Sequence, residues 1–419
     1  MMRRHSTRTS IAAVAILVTA LVLIATLLGS AAIAQAAPRP KPTPTPTSTS
    51  TPPPSSAKWT IMVYGDGDNN LETYLPADID TEFSALGSNA DVSVVVLADR
   101  TPGYSTADGD WTTTKLFYCT QGMTATPANA VADWGERDMG SAQTLVDFVK
   151  HVKTNYAAQH YVLVFWDHGY SWWPDWTMWD DTSANGLTLT EMSSAMASAG
   201  GVDVVAYDCC ASATTEVDTT WRSYSQYVVA SEDYTYAEGV AWENVIPAVR
   251  ANPAMDAATM ARTIGANMND GTTSAVALDA RWDTLRTAVD QWALALTTGM
   301  AANKANYDAA RKVTKYFCAD ATFCDLSSAA ASIKAKVAEA TIKAKCDAVI
   351  SAVSACTVYE SHKTKFAGAT GTTIWWPKTA ADLAATDYGA YVGWSFYRTL
   401  PWSQQTAWDE FLAAYTAGR

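Results

Sequence analysis

Tyr161-Val162-Leu163-Val164-Phe165-Trp166-Asp167-His168-Gly169 is an apolar run that ends on an acid, a histidine and a glycine. Val202-Asp203-Val204-Val205-Ala206-Tyr207-Asp208-Cys209-Cys210 repeats the plan further along and ends on an acid and two cysteines. Each run has the length and β-branched content of a strand covered on both faces. Between them, Leu189 to Ala199 reads as one helix. Strand, helix, strand is the unit that makes two parallel neighbours through a right-handed crossover. Neighbouring strands lie about 4.8 Å apart, and sites in open α/β sheets form beyond their carboxyl ends. This spacing places a histidine on one exit loop and a thiol on the next.

Working outward, Trp59–Tyr64, Val92–Ala98, Lys115–Cys119 and Gln226–Ala230 read as further strands. Leu71, Leu75, Ile79, Phe83 and Leu86 recur at helical spacing, as do apolar positions in Ser141–Lys153 and Ala213–Tyr224. The alternation predicts an α/β fold with a mostly parallel central sheet and helices on both faces. From Pro253 to Val353 the chain is Ala-rich and reads as mainly helical. Thr372–Trp376 reads as a late strand and Trp408–Tyr415 as a closing helix.

Residues 1–36 read as a segment outside the fold. Arg3, Arg4 and Arg8 precede an apolar run from Ile11 to Leu28, and Ala34-Gln35-Ala36 supplies a small-residue cleavage site. That is the pattern of a secretory signal peptide; an uncleaved membrane anchor is the other reading. Residues 37–57 form a Pro/Thr/Ser-rich linker, extended and without a core, suited to crossing a cell wall. The expected location is therefore secreted, or on the outer face of the cell envelope.

Without residues 1–36, 26 basic residues face 42 acidic ones. That balance argues against a nucleic-acid partner or an anionic membrane face. The chain reads as a monomer. Its seven cysteines, in an oxidising compartment, lead us to expect pairs with one thiol left over. Cys318 with Cys324, and Cys346 with Cys356, are candidate local bridges.

A histidine beside a cysteine has a definite chemistry. Imidazole takes the thiol proton, the thiolate attacks, and the imidazolium then protonates a leaving amine. Gly169 would let backbone approach a reacting carbonyl, and the N–H groups of Gly169 and Cys210 could form an oxyanion hole. His151, His160 and His362 lie in polar surroundings and read as solvated.

Five stretches, in order, resemble the clostripain family of cysteine peptidases, of the caspase and legumain clan. They are Lys58–Tyr64 with Gly67-Asp68-Asn69-Asn70-Leu71-Glu72, Trp166-Asp167-His168-Gly169, Asp180-Asp181-Thr182 with Leu187–Glu191, Tyr207-Asp208-Cys209-Cys210 with Glu216-Val217, and Ala230-Ser231-Glu232-Asp233. The likeness runs from about residue 58 to 245 and weakens beyond; Thr372–Pro377 resembles a late strand of the family. The resemblance implies a caspase-like α/β/α sandwich, with a catalytic core over 58–250 and a mainly helical C-terminal part over 251–419 completing the same domain. It implies His168 as general base and acid and Cys210 as nucleophile of an endopeptidase acting on peptide or protein substrates. Cys209 replaces the small residue usual in the family; it reads as a packed thiol and stays as an alternative nucleophile.

Family members commonly cut after Arg or Lys. A buried guanidinium needs a carboxylate partner, and Asp208 and Glu238 are the candidates for that substrate-binding role. No zinc spacing is present, and no metal or other cofactor is expected from the motifs. Asp66, Asp68, Asn70 and Glu72 invite a calcium reading, but they lack the EF-hand pattern and read as Asx turns and a helix cap. Some family members respond to calcium, which leaves a calcium site possible at no assigned position. Two rivals remain. Seventeen tryptophans, with Trp166, Trp172, Trp173, Trp176 and Trp179 clustered, suit a secreted carbohydrate-active protein, which would use two carboxylates. An inactive, peptidase-like binding module would keep the fold with an unreactive thiol. No Gly-x-Ser-x-Gly elbow is present.

Overall fold

The computed structural model describes residues 57–173, 177–268, 271–318, 322–384 and 393–417. The signal segment and all of the linker but Ala57 lie outside these residues, as does Trp176. Twelve strands are present among them: β1 Ala57–Gly67, β2 Val92–Arg100, β3 Thr114–Tyr118, β4 Ala132–Gly135, β5 Ala158–Trp166, β6 Val204–Asp208, β7 Tyr227–Ala230, β8 Thr272–Ala277, β9 Tyr316–Phe317, β10 Phe323–Asp325, β11 Thr357–His362 and β12 Thr373–Trp375. Nine make one sheet in the order β11-β8-β7-β6-β5-β1-β2-β3-β4, and β12-β10-β9 make a small antiparallel one. The five central strands, β7 through β2, pair in parallel. Both edges are antiparallel. This is the expected α/β sandwich with a mostly parallel sheet and C-terminal helices.

Alternation along the central strands builds two cores. Met62, Tyr64, Leu163, Phe165, Val205 and Tyr207 face one side, packed with Leu145 and Val149 of helix Ala142–Asn155 and Met192 and Met196 of helix Leu189–Ala199. Ile61, Val63, Val162, Val164, Val204 and Ala206 face the other, packed with Leu75, Ile79 and Phe83, and with Val245 and Val249 of helix Trp242–Ala251. A period of two splits each strand between the faces, which is why the strands read as unbroken apolar runs. The crossover helix Leu189–Ala199 starts on a capping box: Glu191 N–H donates to Thr188 Oγ1 at 3.1 Å, and Thr188 N–H donates to Glu191 Oε2 at 3.0 Å. Such a cap contributes about 1 kcal/mol and sets where the β5–β6 connection turns back.

Three features depart from the sequence reading. The stretch read as helical over Pro253–Val353 also contains β8, β9 and β10; Thr272–Ala277 is a run of small residues with little strand signal, and it pairs because β7 offers it an edge. The helix expected from Leu71 to Leu86 is broken into Tyr74–Asp78, a π-turn at Ile79–Phe83, and Ser84–Leu86. The expected disulfides are not formed. Cys346 and Cys356 are free thiols within one helix, Ala340–Cys356, and ten residues at 1.5 Å rise separate them by about 15 Å, beyond disulfide reach. Cys324 is a buried thiol whose S–H donates to Ile374 O at 3.4 Å.

Candidate active site

The register Trp166↔Asp208 aligns the ends of β5 and β6. His168 and Cys210 therefore stand two residues beyond a paired position on adjacent parallel strands. Both line one cleft of about 300 Å³ at the carboxyl end of the sheet, together with Asn70, Trp166, Asp208 and Thr235. Asn70 arrives from the turn after β1, in which Gly65 pairs with Trp166 on the other side of β5. Thr235 arrives from the loop after β7.

The imidazole is anchored. His168 Nε2–H donates to Asn70 Oδ1 at 2.8 Å, which leaves Nδ1 as the acceptor of the neutral ring. Burial holds the His168 pKa below its ordinary value, with Asp181 opposing, so the ring is neutral at neutral pH and able to take a proton. Asp167, beneath it, is fixed by two donors: Asn69 Nδ2–H at 2.7 Å and Trp179 N–H at 2.7 Å. The Asp68-Asn69-Asn70 turn thus holds two consecutive residues of the histidine loop. Its Asx geometry is as read from the sequence, with Asp68 N–H donating to Asp66 Oδ1 at 2.9 Å and Leu71 N–H to Asn69 Oδ1 at 2.8 Å. The helix that follows has no side-chain cap.

The two thiols differ. Cys209 is 1% exposed and belongs to the core; burial raises its pKa well above that of an ordinary thiol. Cys210 is half-buried, and its Sγ lies 3.4 Å from Thr235 Oγ1. Ala211, next in the chain, has φ of 45°, a left-handed conformation that turns the backbone sharply after Cys210. Gly169 has no room for a side chain: a Cβ there would overlap the Cys209 sulfur and stand 2.8 Å from Cys210 O. The glycine packs the backbone of the histidine loop directly on that of the cysteine loop.

Asp208 is 8% exposed at the cleft, and its carboxylate accepts from Val240 N–H at 3.0 Å and Trp242 Nε1–H at 2.8 Å. Burial, opposed by these donors, pushes it up to about 6. Gly239, at φ of 44°, carries the chain over this carboxylate. Glu238 is exposed and does not line the cleft with His168 and Cys210. It lines an adjoining hollow of about 320 Å³ with Asp78, Glu82 and Glu243. Asp78 accepts from Trp166 Nε1–H at 2.9 Å and is pushed up to about 7 by burial and the Asp208 charge. Burial and Asp78 push Glu82 up to about 8. Sequence reasoning missed Asn70, Thr235, Asp78 and Glu82 as site residues. Asp78 and Glu82 carry a faint signal, their spacing of four, but the π-turn between them belongs to the structure alone.

Trp172 is 1% exposed and packs against Trp375 and Tyr397; Trp166 and Trp173 are buried too. These rings are core and wall, not an exposed platform for sugars. Among the described residues no helix is long and apolar enough to cross a membrane.

A model of the clostripain family matches residues 63–415. Clostripain of Hathewaya histolytica is 26% identical over an alignment of 223 positions that covers 46% of this chain and 42% of that protein, so the chain spans less than half the length of this relative. Two solved structures share the fold, each with a TM-score of 0.60 and 16% identity over 84% of this chain. One is a secreted C11 cysteine protease from Bacteroides thetaiotaomicron in complex with an irreversible peptide inhibitor, matched over 100% of its length. The other is an inactive zymogen of a C11 protease from Parabacteroides distasonis, matched over 99% of its length.

Proposed function

The chain belongs to the clostripain family of cysteine peptidases, and from that premise we propose that it is an exported cysteine endopeptidase working through His168 and Cys210. The observation that carries the reading is the shared cleft. A half-buried thiol and an anchored, neutral imidazole leave adjacent strands in register, while the neighbouring thiol is sealed in the core.

In this mechanism His168 Nδ1 takes the Cys210 proton, and the thiolate attacks the scissile carbonyl carbon. The oxyanion is held by backbone N–H groups of Gly169 and Cys210. Collapse expels the amine, which leaves with the proton from His168. Water, deprotonated by the same ring, then hydrolyses the thioester and returns the thiol. Asp208 at the cleft supports a preference for Arg or Lys before the scissile bond. Glu238 and Glu243 in the hollow beside it add to the field that draws a cationic side chain. Export is supported by the leader-like residues 1–36, and the protease from Bacteroides thetaiotaomicron that shares the fold is a secreted one.

The test is turnover of fluorogenic peptides ending in Arg, Lys, Asp, Asn or Leu by the full chain, beside Cys210→Ala and Cys209→Ala. The reading expects Arg and Lys peptides to be cut, Cys210→Ala to be inert and Cys209→Ala to stay active. A Cys210→Ala variant that still cleaves would overturn it.

A further inference from the structure

The sheet extends its carboxyl edge well past the catalytic cleft. β8 runs antiparallel to β7, and β11 antiparallel to β8, so β8 begins and β11 ends on the edge where β5 and β6 end. In register, Ala230 at the end of β7 faces Ser274, and Thr272 faces His362 at the end of β11. Lys363, the next residue, therefore emerges on the same edge as Cys210. β11 stands three strands from β6, a step of about 14 Å at the usual strand spacing.

A cavity of about 520 Å³ opens there. Tyr236 lines both this cavity and the cleft of His168 and Cys210, so the two adjoin. Met268 and Tyr359 give the cavity apolar wall, and Lys363 gives it a cation, with Nζ 4.4 Å from the centre of the Tyr236 ring. The backbone that presents this lysine is fixed. Lys363 N–H donates to Gly271 O at 2.8 Å, and Phe366 N–H donates to Lys363 O at 2.8 Å. Phe366 seats the turn on Gly271, where a Cβ would come within 2.1 Å of the ring. Two more lysines flank it: Lys315 Nζ donates to Lys365 O at 3.2 Å, and both ammonium groups lie over Phe366. Two acids are near. Glu360 accepts from His362 Nδ1–H at 2.6 Å, and Glu238 stands between this cavity and the acidic hollow, lining both. The loop Tyr236–Glu238 thus has a negative hollow on one side and a lysine-bearing cavity on the other, in a chain that is strongly acidic as a whole.

We infer that this cavity is a substrate subsite for an acidic side chain, which Lys363 holds about four residues from the scissile bond. An extended peptide advances about 3.3 Å per residue, so four residues span the step from β6 to β11. The methylenes of a glutamate would lie on Met268 and Tyr359, and its carboxylate would accept from the Lys363 ammonium, a charge-assisted bond. The substrate so defined carries a basic residue at the cut and an acidic one at a fixed distance from it. Selection by two charges of opposite sign is sharper than selection by one, because a peptide in the wrong register meets like charge.

The effect on turnover rests on the peptidase reading; binding of an acidic peptide does not. The test uses internally quenched peptides with a single Arg and with Glu, Gln or Lys placed three, four or five residues from it on either side. Turnover is measured with the full chain, and affinity by calorimetry with Cys210→Ala. At one such position Glu should exceed Gln in kcat/KM by about two- to fivefold, as suits a partly exposed ion pair. The gain should lie mainly in KM and shrink in about 0.5 M salt. Lys363→Gln should bring the Glu-to-Gln ratio to one, Lys363→Arg should keep it, and Lys363→Glu should favour Lys instead. The side chain is exposed and every variant keeps the backbone bond to Gly271, so folding is preserved, which thermal unfolding checks. No Glu preference at any of these positions, or a preference that survives Lys363→Gln, would overturn the subsite. A preference for Lys in wild type would assign the cavity to Glu238 and overturn it too. If wild type cuts no peptide, the peptidase reading falls. Tighter binding of a Glu peptide to Cys210→Ala, lost on adding Lys363→Gln, would then still support the cavity, and equal binding of Glu and Gln peptides would overturn it.

Discussion

Gly169→Ala is the sharpest probe of how the histidine and cysteine loops fit. A Cβ at 169 would lie 3.1 Å from Cys209 Cβ and 2.8 Å from Cys210 O, besides overlapping the Cys209 sulfur. Carbon atoms pack comfortably at about 3.5–4.0 Å, so the loops must part, by about 1 Å once the sulfur is included. Overpacking of this kind costs about 1–3 kcal/mol. At about 2–4 °C per kcal/mol for a large domain, Tm should fall by several degrees. The catalytic loss should be larger, because a displacement of about 1 Å between reacting groups costs roughly a hundredfold in rate. The assay is kcat/KM on the preferred fluorogenic peptide together with thermal unfolding, for Gly169→Ala, Cys209→Ala and the double variant. Cys209→Ala alone should cost about 1 kcal/mol for its buried group and retain turnover. The double variant removes the sulfur from the clash and should be more stable than the sum of the singles implies. It should regain only part of the activity, since the contact with Cys210 O persists. Wild-type Tm and turnover in Gly169→Ala, or strict additivity in the double variant, would refute the packing argument.

Further outcomes follow from the same geometry. Asn70→Ala should lower kcat by roughly ten- to a hundredfold with little change in KM, since it frees the ring without touching substrate; an equal loss in KM would place Asn70 on the substrate instead. The preference for Arg over a neutral residue should weaken as pH falls through about 6, where Asp208 takes a proton, and Asp208→Asn should abolish that pH dependence; a flat ratio across pH 5 to 8 would remove Asp208 from specificity. Asp208, Asp78 and Glu82 are pushed up to about 6, 7 and 8 by burial. The folded state therefore binds more protons than the unfolded chain between about pH 4 and 8, and stability falls as pH rises through that window. Thermal unfolding should show a higher Tm at pH 5.5 than at pH 8, and the opposite slope would contradict the burial assigned to these acids. Lys and Arg are absent between His168 and Cys210, so a basic-specific enzyme has no self-cleavage point there. Active protein should run as one chain on a denaturing gel, and two fragments would show otherwise.

The central sheet was legible because β1, β2, β5 and β6 are buried on both faces and leave unbroken apolar runs in the sequence. That His168 and Cys210 line one cleft was legible because strand exits follow from strand order. Other parts carried no local signal. β8 is six small residues whose strand character comes from its neighbour. Asn70 reads as turn punctuation, and only the adjacency of β1 and β5 brings it to the imidazole. Asp68 looks like a member of an Asx turn, and its backbone behaves as one. Glu238 was a reasonable acid by position, but the loop turns it out of the cleft. The expected disulfides failed on geometry, as one helix keeps Cys346 and Cys356 apart.

The hydrogen bond between His168 and Asn70 joins residues 98 positions apart, and His168 meets Cys210 only through completed pairing of β5 with β6. Contacts of such span form slowly and close at a high entropic cost. A half-folded chain therefore holds both side chains but not the cleft they share. On the proposed mechanism, a chain whose sheet is incomplete cannot cleave its host's proteins or its sister chains.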